Sequence, residues 1–172
     1  MSRASVALVA VIALSATLSC GSGATQPTDA MVAEKRCGDS PDAYFSFYSV
    51  EQLAEFADCT VLVGRIQEDS IQQLEDFAAL RNVTRIEGFL NVFRSPGFLT
   101  LHGLENLEVV QGDVFIHLNP NLMSIAALGK LRTVTGNLII AGNDRLPQAE
   151  VEAVAAPITV GGTKTLMQAS AP

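Results

Sequence analysis

Apolar and polar positions repeat along this chain with a 24-residue period. Gly64, Gly88, Gly112 and Gly136 mark the same point in successive repeats. Two residues before them come Leu62, Ile86, Val110 and Val134, a column that continues to Ile158. Two after them come Ile66, Leu90, Val114 and Leu138, and four after the last three come Val92, Ile116 and Ile140. Further aliphatic or aromatic columns follow at ten (Leu74, Phe98, Leu122, Leu146), thirteen (Phe77, Leu101, Ile125, Ala149), sixteen (Leu80, Leu104, Leu128) and nineteen residues (Val83, Leu107, Leu131). Around each glycine the alternation has period two, which predicts a strand with one buried face. From the tenth position the spacing is three, which suits tight turns or short 3₁₀ pieces with one inward stripe.

One such unit cannot bury its own apolar residues, but stacked units bury a continuous core. The pattern therefore predicts a mainly β solenoid of 24-residue coils with parallel strands. The glycine column marks a corner where a Cβ would clash or φ must be positive. Ser95, Asn119 and Asn143 share one register, so they are expected to stack and bond turn backbone groups. Glu68 stands where later coils carry Val92, Ile116 and Ile140, so the first coil is expected to open there. The fifth coil is irregular, because Gly161 and Gly162 arrive late after Ile158. Capping helices are expected at both ends. One opens at Ser49-Val50-Glu51-Gln52 and runs to about Ala57, and one starts at Pro147 and runs through Ala155. Thr163–Pro172 reads as a loosely held tail.

The N-terminus reads as an export signal. Arg3 supplies positive charge, Val6–Leu18 is apolar or small throughout, and Ala16-Thr17-Leu18-Ser19 precedes Cys20-Gly21. This run resembles the lipobox of bacterial lipoproteins, although Thr17 stands where that family favours Leu. The resemblance implies cleavage before Cys20 and its acylation, with anchoring in the envelope and a lean towards the outer membrane. The alternative is an ordinary secretory signal that contains a cysteine. If Cys20 is acylated, Cys37 and Cys59 remain as an even pair, which an oxidising compartment would join as a disulfide. That bridge would clamp the N-terminal cap to the first coil.

Cys59-Thr60-Val61-Leu62-Val63-Gly64-Arg65-Ile66, preceded by Cys37 and a helix, resembles the start of a receptor L domain. Those leucine-rich-repeat-like domains occur in insulin and epidermal growth factor receptors. Ile86-Glu87-Gly88-Phe89-Leu90-Asn91-Val92 and Val134-Thr135-Gly136-Asn137-Leu138-Ile139-Ile140 are similar to the same family's repeat. The resemblance implies a short right-handed parallel β-helix with a binding face and no catalysis. The expected organisation is a signal over 1–19, lipidated Cys20 and a Gly/Ser/Pro-bearing tether over 20–36, the L-domain-like solenoid over 37–165 and a tail over 166–172.

Composition narrows the function. A net charge of -7 repels nucleic acid, and a 48% apolar content argues against a disordered chain. His102 and His117 have no Cys or His at metal-ligand spacing, so no metal or cofactor is expected. The outward strand positions carry the candidate chemistry: Arg65, Phe89, Asp113 and Asn137, then Gln67, Asn91, Phe115 and Ile139, then Asp69, Phe93, His117 and Ala141. Phe89, Phe93, Phe115 and Ile139, with Asn91, Asp113, His117 and Asn137 among them, form the expected binding face for a protein or glycan ligand. The tether, tail or a loop covering that patch is the competing expectation. Asp69 and Asp113 lie two coils apart in different columns, which speaks against a polysaccharide-active β-helix enzyme. A structural envelope spacer or assembly subunit is the other alternative. A monomer is expected. Asn82-Val83-Thr84 is a glycosylation sequon, relevant only in a eukaryotic host.

Overall fold

The computed structural model describes residues 34–45, 50–69 and 74–167. The signal, Cys20 and the tether up to residue 33 lie outside the described residues, as do Ser49 of the expected capping box and residues 168–172. The fold is mainly β. Its strands are β1 (Arg36–Cys37), β2 (Tyr44–Phe45), β3 (Val61–Val63), β4 (Arg65–Asp69), β5 (Arg85–Glu87), β6 (Leu90–Phe93), β7 (Val109–Val110), β8 (Val114–His117), β9 (Thr133–Val134), β10 (Leu138–Ala141), β11 (Thr159–Val160) and β12 (Lys164–Met167). Among the described residues there are also two helices, α1 (Val50–Ala54) and α2 (Gln148–Ala155), and two 3₁₀ turns, Ala78–Leu80 and Ala126–Lys130.

The odd-numbered strands form one six-stranded sheet, β1-β3-β5-β7-β9-β11, and the even-numbered strands a second, β12-β10-β8-β6-β4-β2. All the pairings are parallel. In the middle of both sheets the register follows the sequence repeat without a slip. Leu62 pairs with Ile86, Ile86 with Val110 and Val110 with Val134, while Ile66 pairs with Leu90, Leu90 with Val114 and Val114 with Leu138. Between the sheets lies a single apolar core to which nearly every predicted inward column contributes. Strands β6, β8 and β10 alternate buried and half-buried residues, as period two requires. The three-residue spacing resolves as turns that bury Leu80 and Leu128, and as a tilted Phe77–Phe98 ring contact with centroids 4.8 Å apart.

Two polar devices hold the corners. At the glycine corner, a Cβ on Gly88 would run into the Gly64 carbonyl, and one on Gly112 into the Gly88 carbonyl. Close approach of neighbouring backbones therefore excludes a side chain there, and at Gly64 and Gly88 a positive φ, 155° and 147°, excludes it as well. At the far end of the second sheet, Ser95, Asn119 and Asn143 are fully buried and bonded as a ladder. Asn119 Oδ1 accepts from the Ser95 N–H at 3.0 Å, and Asn143 Oδ1 accepts from the Asn119 N–H at 3.0 Å. The Asn119 and Asn143 amides donate in turn to the Val92 and Ile116 carbonyls, each at 3.0 Å. The residue before each ladder member is left-handed: Arg94 at φ 49°, Leu118 at φ 59° and Gly142 at φ 63°.

The ends depart from expectation. β1 and β2 add a strand to each sheet before the first predicted one, and neither keeps the interior register. Arg36 pairs with Val61, a slightly longer step than the repeat, and Tyr44 pairs with Arg65, a shorter one. Cys37 and Cys59 are joined as a disulfide with Cα atoms 5.9 Å apart, which ties β1 to the residue leading into β3. The first repeat does not open at Glu68, because β4 stays paired with β6 through Asp69 and Phe93. α1 stops at Ala54, and Glu55 to Asp58 continue as turns.

At the other end α2 starts after Pro147, whose fixed φ of -63° suits a helix entry. Glu150 in its first turn accepts from Ser124 Oγ at 2.7 Å and from the Ile125 N–H at 2.8 Å. The helix turns Ala149 out to solvent and buries Val151 and Ala155 instead. It also lengthens the return path, so the last step of the first sheet is longer than the repeat. Val160 therefore pairs with Val134 in place of Ile158, which is buried just before the strand. The stretch from Thr163 is no loose tail, since β12 pairs with β10 through Met167. Lys164 stands at the inward register position of Leu138, and its Nζ donates to the Ala155 and Ile158 carbonyls, both at 2.9 Å. It thereby caps the negative end of α2.

Candidate binding face

The outward side of the second sheet is where sequence and structure concentrate unusual chemistry. The register sets Gln67, Asn91, Phe115, Ile139 and Thr165 in one row, and Phe93, His117, Ala141 and Met167 in a second. Phe89, Asn91, Phe93, Asp113, Phe115, His117, Asn137 and Ile139 are all half-buried, their side chains flanked by those of neighbouring strands.

The rings make linked groups. Phe93 stacks on His117 at 4.4 Å between centroids with planes 21° apart, and Phe115 meets His117 edge-on at 6.3 Å. The Arg94 guanidinium lies 4.6 Å from the Phe93 ring centre. Towards the N-terminal end, the Arg65 guanidinium lies 4.8 Å from the Phe89 ring centre and 5.2 Å from that of Tyr44. Arg65 Nη1 donates to Tyr44 Oη at 3.1 Å, and its Nη2 pairs with Asp42. Tyr44 meets Phe89 edge-on at 6.4 Å. Cations over Phe89 and Phe93 thus cover ring faces that a sugar would otherwise stack on.

Asp113 and Asn137 belong to a second ladder at the glycine corner. Asp113 Oδ1 accepts from the Asn137 N–H at 2.6 Å and from Asn137 Nδ2 at 2.9 Å, and Asn137 Oδ1 accepts from the Thr163 N–H at 2.8 Å. The structure therefore brings Phe93 and His117 together with Phe115 and Asn91 of the adjacent row, while Asp113 and Asn137 bind each other and backbone. Burial, and then the nearby Arg94 charge, push the His117 pKa down, which keeps this imidazole neutral at pH 7. The hydrogen bond to Asp42 raises the Arg65 pKa further and keeps it charged. Among the described residues no group of three or more His, Cys, Asp or Glu is arranged to hold a metal ion.

Sequence reasoning missed two members of this face. Tyr44 sits on a two-residue strand whose short register step hides it from the repeat. Arg94 occupies the left-handed column just past the strand, which the sequence betrays only through Gly142.

The comparisons with known proteins agree with this architecture. No curated protein matches the chain. The model of the receptor L domain, a ligand-binding and non-enzymatic family, matches residues 58–153, which span β3 to α2. With more than half of its length covered by that match, the chain belongs to the receptor L domain family.

Proposed function

We propose that the protein is a lipid-anchored, non-catalytic binding module of a bacterial envelope. In this reading it is a short right-handed solenoid of 24-residue coils, tethered by an acylated Cys20, whose ligand lies on the outward face of the second sheet. The observation that carries it is the clustering of Phe93, Phe115 and His117 on adjacent strands of a domain from a ligand-binding family. Half-buried aromatic side chains grouped beside polar ones are a common form of anchor at a protein interface.

The test is crosslinked capture of envelope proteins and glycans by the wild-type protein and by the triple change Phe89→Ser, Phe93→Ser, Phe115→Ser, with equal folding verified. A partner captured by the wild type and lost in the triple change supports the reading. Equal capture by both moves the site elsewhere. The anchor is tested separately, by fatty-acid labelling of the wild type and Cys20→Ser together with thiol alkylation of the unreduced protein. Label on the wild type alone and no free thiol are the expected results. A structural spacer would instead assemble end to end, so concentration-dependent sedimentation separates it from a monomeric binder.

A further inference from the structure

Phe93 is shared by two basic side chains that reach it from different elements. The His117 imidazole stacks on it from β8, with ring centres 4.4 Å apart and planes 21° apart. The Arg94 guanidinium reaches it from the corner just past β6, 4.6 Å from the ring centre. Through that one ring the two basic groups are no further apart than about 9 Å. The backbone fixes the corner as well: Arg94 is left-handed at φ 49°, and its N–H donates to the His117 carbonyl at 3.3 Å.

The surroundings of His117 leave Arg94 as the charge that bears on it. The outward row runs Asp69, Phe93, His117, Ala141, Met167, so β6 offers His117 a phenyl ring and β10 a methyl group. Phe115 on its own strand and Ile139 on β10 do not titrate either. Asp113, just before β8, is bonded to Asn137. Asp69 holds the register position beside Phe93 on the side away from His117, two strands from it. A proton on His117 therefore sets two like charges on one ring. At an exposed site a cation–π contact is worth about as much as the repulsion of two charges at this range, so the freer contact gives way. That contact is Arg94, which is exposed beyond the strand end, whereas His117 is half-buried on a strand inside the sheet.

We propose that Arg94, Phe93 and His117 form a pH-operated cover: the guanidinium rests on Phe93 while His117 is neutral, and it leaves the ring, towards the Asp69 side, when His117 takes up a proton. Burial favours the neutral imidazole, which sets the switch on the acid side of the ordinary histidine range. The cover goes beyond the binding role proposed for the face, because it is a property of the chain alone and needs no partner.

The test is an NMR titration of the full protein from about pH 8 to about pH 4, a range that spans the ordinary histidine value. Shielding by the Phe93 ring marks the δ-methylene and Nε–H of Arg94 at neutral pH, and the His117 ring protons report their own titration. The Arg94 shielding is expected to disappear with the midpoint of His117. Arg94→Gln is expected to raise the proton affinity of His117 about two- to fourfold, as removal of a like charge at this range requires. In His117→Gln the Arg94 shielding is expected to persist across the range. Shielding that stays constant while His117 titrates, or that follows a different midpoint such as that of a carboxylate, would overturn the proposal. So would an unchanged His117 affinity in Arg94→Gln, loss of shielding in His117→Gln as in the wild type, or unfolding before His117 titrates, read from the amides of Val92 and Ile140. If His117→Gln does not fold, the coincidence of the two wild-type curves decides.

Discussion

The outward face of the first sheet is built on ion pairs within and beside its own strands, whereas that of the second is built on aromatic rings. Arg36 Nη1 donates to Glu87 at 2.8 Å with a second bond alongside, and Arg85 pairs with Glu34. Arg85 Nε sits 3.4 Å from Glu87, an ion-pair distance without hydrogen-bond geometry. The hydrogen bond from Arg36 holds the Glu87 carboxyl below its ordinary pKa. Past these residues the same face continues as Val109, Thr133 and Thr159. The second sheet has longer strands, and on it the Asn91 oxygen accepts no hydrogen bond while the Arg94 guanidinium, just past β6, lies over the Phe93 ring. The first face is held by ion pairs that leave one nitrogen, Arg85 Nε, without a hydrogen bond, whereas the second is held by aromatic rings stacked with a histidine and two arginines.

The largest effect expected is on the ladder that ends the second sheet. Asn119→Leu removes the acceptor of the Ser95 N–H and the donor to Val92, leaving buried groups unpaired. It should cost roughly 4 kcal/mol in urea unfolding and speed amide exchange at Ser95 before β1 and β3 are affected. A loss well below this would mean the corner holds without its ladder. Next comes the tie at the start of the first sheet. Replacing Cys37 and Cys59 together by Ala should cost about 3 kcal/mol by the loop-closure argument. Its exchange signature should lie in β1 and β3, the opposite end from the ladder change.

Relief of the left-handed column gives a smaller, favourable effect. Leu118→Asn should stabilise by about 1 kcal/mol, because Asn tolerates positive φ and the Leu118 side chain is exposed. The two histidines then separate the regions by pH. His117 has a depressed pKa in the folded state, so the unfolded chain binds its proton first. Its contribution is complete above about pH 6.5 and is lost as pH falls through that value towards the folded pKa. His102, whose pKa the Glu105 hydrogen bond raises, acts the other way: its contribution is present below about pH 6.5 and is lost as pH rises through the folded pKa. Thermal unfolding of His117→Phe should therefore lose a fall in midpoint on acidification, and His102→Ala should lose a fall on alkalinisation. Smallest of all is Lys35→Ala, which removes an exposed ion pair with Asp58. It should leave both the unfolding midpoint and partner capture within replicate scatter.

Much of the fold was legible because the middle repeats are regular. Gly88 and Gly112, the inward columns from Ile86 to Ile140 and the Ser95–Asn119–Asn143 ladder all follow from register alone. The ends were not legible, and the causes are local. β1 and β2 are two residues each, too short for an alternation to show. At the other end α2 lengthens the return path, which moves Val160 into the place expected for Ile158. The outward positions of the face also follow from alternation. What alternation cannot give is whom an outward side chain meets. Phe93 under Arg94, Phe89 under Arg65, and Asp113 withdrawn into a bond with Asn137 depend on rotamers and on a corner residue outside the strand pattern.

Lys164 bears on how such a stack could change length. Where the preceding strands place Ile66, Leu90, Val114 and Leu138, the last strand places a cation that is already bonded to the end of α2. A further strand laid on β12 would seal that ammonium beneath apolar neighbours or pull it off the helix. Lys164 therefore acts as punctuation: duplicating one whole repeat between Gly88 and Gly136 lengthens the protein without touching its full stop, whereas appending one after Met167 does not. A repeat duplicated between Gly88 and Gly136 is therefore expected to be tolerated better than one inserted directly after Met167.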